Sequence, residues 1–246
     1  MSRGSPDPPG NPQPLGDWGW LRNRALEEAM KLGYDPSSVS AAVLKWGQTM
    51  AVVLLKVVKA VEREFGERGQ EVCRNVFLEH GMEMGREIAG HLKPLLPERM
   101  DRTNLIETWL RIISWVNRNV WASPDSFKTL SEEEGCFDIL WCPHQDIYTA
   151  RDCRIQRWLV SGIMAGIGSS LAEEMERRYS GDLSEFFNVN LEVTDLIPRG
   201  AKTCHFRVWR RKEGEEDTWQ KHSEYLERRE LEERKGSRSP PGLGRP

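Results

Sequence analysis

Phe187-Asn188-Val189-Asn190-Leu191-Glu192-Val193-Thr194 alternates apolar and polar side chains without a break, the two-residue period of a half-buried strand. Pro198-Arg199-Gly200 turns the chain, and Thr203 to Trp209 predicts the returning strand of one hairpin. Upstream, Ser126 to Ser131 and Cys136 to Cys142 predict a second hairpin, joined by Glu132-Glu133-Glu134-Gly135 with the glycine at its end. The segments before Val120 run instead on a helical period. The expected fold class is α+β: an N-terminal helical part followed by an antiparallel sheet of hairpins, with a long helix packed on it.

The helices have readable boundaries. Leu21 to Leu32 predicts a short helix closed by Gly33, and Asp35-Pro36-Ser37-Ser38 opens a long one through about Phe65, with a serine as N-cap. Its interior is apolar on most sides, so it is expected to be central. A third helix, about Glu67 to Leu92, carries Val72, Val76, His80, Met84 and Ile88 at four-residue steps until Pro94 and Pro97 end it. A fourth, Thr103 to Val120, is expected to bury Leu105, Trp109, Ile112, Ile113, Val116 and Val120. Ile155, Leu159, Ile163, Ile167, Leu171 and Met175 define a further helix ending near Tyr179. Its Gly162, Gly166 and Gly168 are read as places where another helix approaches closely.

The organisation expected is a disordered segment 1–16, a single α+β domain 17–211, and a charged helix with a disordered tail 212–246. The 212–235 run has mixed charge and a thin stripe of Trp219, Leu226 and Leu231, and reads as a solvated or partner-docking helix. A net charge of −3 sets aside a global attraction to nucleic acid. Met1 to Gly16 lacks the apolar core of a signal peptide, and Lys45, Gln48, Lys56 and Lys59 interrupt Ala41 to Val61, which is read as not spanning a membrane. Five irregularly spaced cysteines fit free thiols, and the expected location is the cytoplasm.

The chemistry gathers in Cys142-Pro143-His144-Gln145-Asp146-Ile147-Tyr148, which sets a thiol, an imidazole, a carboxylate and a phenol at the end of a strand. A thiol there can be activated by helix N-terminal amides and a neighbouring imidazole. Cys142 is therefore the candidate nucleophile, with His144 as base and Asp146 or Tyr148 orienting it or the substrate. Strand alternation puts Cys204, Phe206 and Val208 on one face and His205 and Arg207 on the other, so Cys204 and His205 cannot pair with each other. Cys142 counts onto the face of Leu140. No C-x-x-C or H-E-x-x-H spacing is present; a metal, if bound, would fall to Cys142, His144, Cys153 and Cys204. No motif names a cofactor. His80 and His91 read as structural histidines, and His222 as exposed.

Cys142-Pro143 followed by Tyr148, a helix, and then Gly200 with Cys204-His205-Phe206-Arg207 resembles the L-2-amino-thiazoline-4-carboxylic acid hydrolase family. That family shows a Cys-Pro at a strand end, an aromatic six residues on, and a closing strand with Cys-x-Phe-Arg. Where it usually has a second cysteine followed by aspartate, this chain has Cys153 followed by Arg154. The resemblance implies a hydrolase that opens a cyclic amidine by attack at the C=N carbon. Cys142, His144 and Asp146 would act, and Tyr148, Arg151, Cys204, His205 and Arg207 would bind the substrate, an arginine holding its carboxylate. In outline the chain is also similar to the 4-vinyl reductase type of domain, which implies a non-catalytic module for a small molecule, metal or cofactor, or an adaptor. The partner expected is a small-molecule ligand or substrate; a second copy or another protein could meet the 212–235 helix.

Overall fold

The computed structural model describes Lys31, Gly33, 36–179 and 188–236, with no side-chain description for 36–40 and 234–236. The expected segment 1–16, the tail beyond 236 and Phe187 lie outside these residues, as does the helix Leu21–Leu32 except for Lys31, which is helical. The chain divides into two compact units, Met1–Trp46 and Gly47–Pro246. In the first, Val43, Leu44 and Trp46 are exposed.

The elements are α1 (Pro36–Phe65), α2 (Glu67–Leu92), a 3-10 turn Lys93–Leu95, α3 (Leu105–Asn119), β1 (Asp125–Thr129), β2 (Glu134–Ile139), α4 (Cys153–Arg178), β3 (Val189–Asp195), a 3-10 turn Ile197–Arg199, β4 (Cys204–Arg210) and α5 (Thr218–Gly236). The strands form one antiparallel sheet in the order β1-β2-β4-β3. The fold is α+β. Helix α1 begins at Pro36, so Ser37 and Ser38 lie inside its first turn, where proline's fixed φ is already helical.

The helices α2 and α4 are packed closely along their length through glycines one turn apart on each. A Cβ on Gly85 would sit 2.2 Å from Ile163 O, and one on Gly162 2.2 Å from Leu78 O. Only hydrogen side chains allow backbones this near. This arrangement redefines the buried stripe of α2. Gly69, Gly81, Gly85, Ile88 and Ala89 are buried, whereas Val72 and Val76 are 54% and 58% exposed. The four-residue valine steps are thus an outer face.

Nor is α1 central. It buries Ala51, Leu55, Val58 and Glu62, one helical stripe, and leaves Val53, Leu54, Val57 and Phe65 exposed. Ala41–Phe65 is, among the described residues, the helix long and apolar enough to cross a membrane by length and composition alone. The helix that fills the interior is α3, whose Leu105, Ile106, Leu110, Ile112 and Val116 are almost wholly buried. Each such side chain contributes about 1.5–3 kcal/mol.

Helix α3 packs on β1, β2 and β4. Gly135 lies inside β2, not at the hairpin's end. Its place follows from packing, since a Cβ there would meet Leu110 Cδ1 at 2.6 Å. Phe137 and Phe206 pair across β2 and β4 with rings stacked 4.5 Å apart. Strand β2 ends at Ile139, so the alternation does not reach Cys142, and Leu140 is exposed.

A buried polar knot joins four helices. Arg154 of α4 is 0% exposed and meets Glu62 of α1, itself 1% exposed, through bonds of 2.6 and 2.7 Å. Gln70 of α2 donates to Glu62 Oε1 and to the Glu227 carbonyl, tying in α5. Glu227 also accepts from Trp158 Nε1 at 2.7 Å and pairs with Arg74 at 2.9 Å. Leu226, Glu227 and Glu230 of α5 are buried. The charged helix is therefore docked along one face on its own chain, where Glu227 and Glu230 find partners, while its other charges stay in solvent.

Candidate functional site

Between the sheet, α3, α4, α5 and the loop segments around Trp121 and from Cys142 to Ala150 lies a cavity with about 110 Å³ of free volume, or about 960 Å³ once its open mouth is included. The sheet contributes Phe137, Leu191 and Phe206, α3 contributes Ile113, and α5 contributes Trp219 and Leu226. These walls are overwhelmingly apolar, as expected of a small-molecule site. Cys142, His144, Tyr148, Cys153 and Cys204 all line it.

The 142–148 segment is a chain of short turns before α4. Gln145 N donates to Cys142 O at 3.0 Å, and Tyr148 N to His144 O at 2.8 Å. The His144 ring stacks on Tyr148 at 4.9 Å and meets the edge of Trp121 at 6.4 Å. Gln156 of α4 donates to His144 Nδ1, which places the ring proton on Nε2, and the same amide nitrogen is 4.0 Å from Cys142 Sγ. Burial holds the imidazole below its ordinary value and therefore neutral at neutral pH.

All three thiols are muted. Burial raises Cys142, outweighing the backbone amide of His144, the Gln156 side chain and the amide of Gln145, which favour its thiolate. Burial, with the neighbouring Cys142 and Cys204, pushes Cys153 up to about 12. Cys204 is also raised by burial, although Ile197 N donates to its sulfur at 3.3 Å. Tyr148 is pushed up to about 12, first by burial and then by Asp152. A low-pKa nucleophile is absent from the described cysteines of this cavity. Cys142, His144, Cys153 and Cys204 share its walls, yet no three metal-ligating side chains converge among the described residues.

Other candidates lie elsewhere. Asp146 is exposed and outside the lining. Arg151 pairs with Glu230 at 3.5 Å and with Glu233. His205 faces Asp138 at 3.0 Å, and Arg207 donates to Glu134 at 2.9 Å, both on the sheet's outer face. His80 is exposed beside Glu83, and His91 stacks on Trp115.

Gln156, Trp219 and His222 line the cavity without having been singled out for it, and Arg157 lines it as well. His222 is not the exposed residue expected. Burial, then Arg157 and Arg199, pull it down to about 4. A signal was present: Trp219, His222 and Leu226 stand at i, i+3 and i+7, one face of a helix.

No protein-family model matches the chain. A crystal structure of a trafficking protein particle complex subunit 3 from Naegleria fowleri, covalently bound to palmitic acid, aligns with 67% of this chain and 95% of its own. Its identity is 13% and its TM-score 0.38, a likeness too loose to speak to fold or function. An uncharacterized protein of Archaeoglobus fulgidus is 36% identical over 208 residues, 85% of each chain. Identity at that level across most of both sequences means shared ancestry and a shared core: the chain belongs to the same protein family as this Archaeoglobus fulgidus protein.

Proposed function

We propose that this protein is a binding module for an apolar small molecule with a cyclic or aromatic body, held in the cavity between the sheet and α4. The observation that carries this reading is the cavity itself: aromatic and aliphatic walls enclose free volume, and the thiols and imidazole among them are held neutral. Burying an apolar body there gains about 25 cal/mol per Å² of surface removed from water.

Native mass spectrometry of protein purified from its own host tests the reading. The expected result is a retained small molecule, released on unfolding and lost from a cavity-filling Val160→Phe variant. An empty protein that opens 2-amino-thiazoline rings would reverse it.

A second reading, cyclic-amidine hydrolysis, is favoured by one contact. The Gln156 amide touches both Cys142 Sγ and His144 Nδ1, placing thiol and imidazole about one polar group. On this reading Cys142 Sγ adds to the C=N carbon while His144 carries its proton to the ring nitrogen; the ring C–S bond breaks to leave a thiol, and water then releases the carbamoyl product and restores Cys142. Cys142→Ala would then abolish ring opening while far-UV circular dichroism stays unchanged; full activity in that variant ends the proposal.

A further inference from the structure

Among the described residues, Arg157 is the one arginine or lysine in the cavity wall. It is 5% exposed and lies over the Trp219 ring, with Cζ 3.4 Å from the ring centroid. Its Nε donates to Ser223 Oγ at 2.8 Å, and one terminal nitrogen donates to the Trp219 carbonyl at 2.6 Å. Both acceptors are neutral.

The carboxylates nearest to it are already engaged. Asp217 accepts from Arg211 at 2.8 Å, and Glu227 is divided between Trp158 and Arg74. Among the described residues Arg157 has no ion-pair partner. A guanidinium taken out of water costs several kcal/mol unless charge and hydrogen bonds repay it. Its neighbour Arg154, one turn earlier on the same helix, has that repayment from Glu62. Arg157 does not, and the space beside it is free volume.

Building on the binding-module reading, we infer that the ligand is an amphipathic monocarboxylate: its apolar body lies among Phe137, Leu191, Phe206 and Leu226, and its carboxylate meets Arg157. The planar fork suits a carboxylate better than a single hydroxyl or carbonyl. Trp219, stacked on the guanidinium, fixes the plane of that fork. The Gln156 amide and the neutral His144 ring give the cavity polar groups without adding charge. Among the described lining residues an anion therefore meets the Arg157 guanidinium and no carboxylate.

Isothermal titration of the full-length protein with 4-phenylbutanoate and its uncharged counterpart 4-phenylbutan-1-ol tests the inference. At about pH 7.5 the acid is expected to bind wild type roughly tenfold or more tightly than the alcohol. Arg157→Gln should abolish that preference, and Arg157→Lys should keep part of it. Equal binding of acid and alcohol to wild type would overturn the carboxylate inference and leave the binding module standing. A preference undiminished in folded Arg157→Gln would remove Arg157 from the role. Binding of neither probe would overturn both readings. If Arg157→Gln does not fold, the wild-type pair and Arg157→Lys still decide.

Discussion

Arg154 and Arg157 stand one turn apart on α4, both buried, yet their surroundings follow opposite rules. Arg154 is clasped by Glu62, which also accepts from Gln70, in a knot that joins α1, α2, α4 and α5. Arg157 faces neutral acceptors, an indole ring and a cavity. A charge matched from within its own chain is structural. One left unmatched beside free volume is positioned for something else. The same contrast holds for side chains at large: around Arg154 the polar atoms meet one another, and around the cavity they are sparse.

The comparison is open to direct attack. The largest effect belongs to the knot: Glu62→Ala removes the closest counter-charge of buried Arg154, leaving Asp152 at 3.5 Å and Glu230 at 4.0 Å, and should cost about 3 kcal/mol in urea unfolding. A cost below about 1 kcal/mol would show that water or another carboxylate replaces Glu62. The cavity wall should be more forgiving. Leu226→Ala borders existing free volume and should cost about 2 kcal/mol, near the low end for leucine truncation, while widening the space for ligand.

His222 supplies the next and smaller effect. Its folded pKa of about 4 lies below the ordinary 6.5 of the unfolded chain. The unfolded state therefore binds the extra proton first, and stability falls as pH drops from about 6.5 towards 4. The ring is half exposed, so after solvent screening the loss is about 1 kcal/mol. His222→Gln should remove that component, narrowing the difference in melting temperature between neutral and acid pH; an unchanged difference would place the ring in water.

The smallest effect is kinetic. Cys142, Cys153 and Cys204 have raised pKa values, so at neutral pH each holds less thiolate than an ordinary cysteine. Iodoacetamide labelling followed by mass spectrometry should be slow at neutral pH and quicken only in alkali, with Cys153 the slowest. Fast labelling of Cys142 in native protein would revive it as a nucleophile.

Much of the fold was legible because alternation and helical period are local. Glu67–Leu92 appears with the bounds expected, and the strand at Val189 and its partner at Cys204 lie within a residue or two of theirs. Alternation along β4 also placed Cys204 inward and His205 and Arg207 outward, as the structure has them. The buried face of α2 was not legible in the same way. Apolar steps marked Val72 and Val76, but the partner helix selects Gly81 and Gly85, because backbone proximity there outweighs side-chain hydrophobicity.

The site divides along the same line. Cys142, His144 and Tyr148 are close in sequence, and Cys204 joins them through the register that pairs it with Ile139. Arg157 has nothing local in the sequence to separate it from Arg151 or Arg207. Their partners separate them: Glu230 and Glu233 hold Arg151, Glu134 holds Arg207, and among the described residues no carboxylate holds Arg157.

By itself the sequence determined the α+β order of elements, the inward face of β4 and the concentration of thiols near the end of β2, because period and spacing are properties of consecutive residues. Only the tertiary structure decided which helix faces are buried, that α5 closes on its own chain, and which arginine faces the cavity. Burial and charge compensation depend on residues far apart in the chain, as Glu62 and Arg154 are, and no local pattern encodes them.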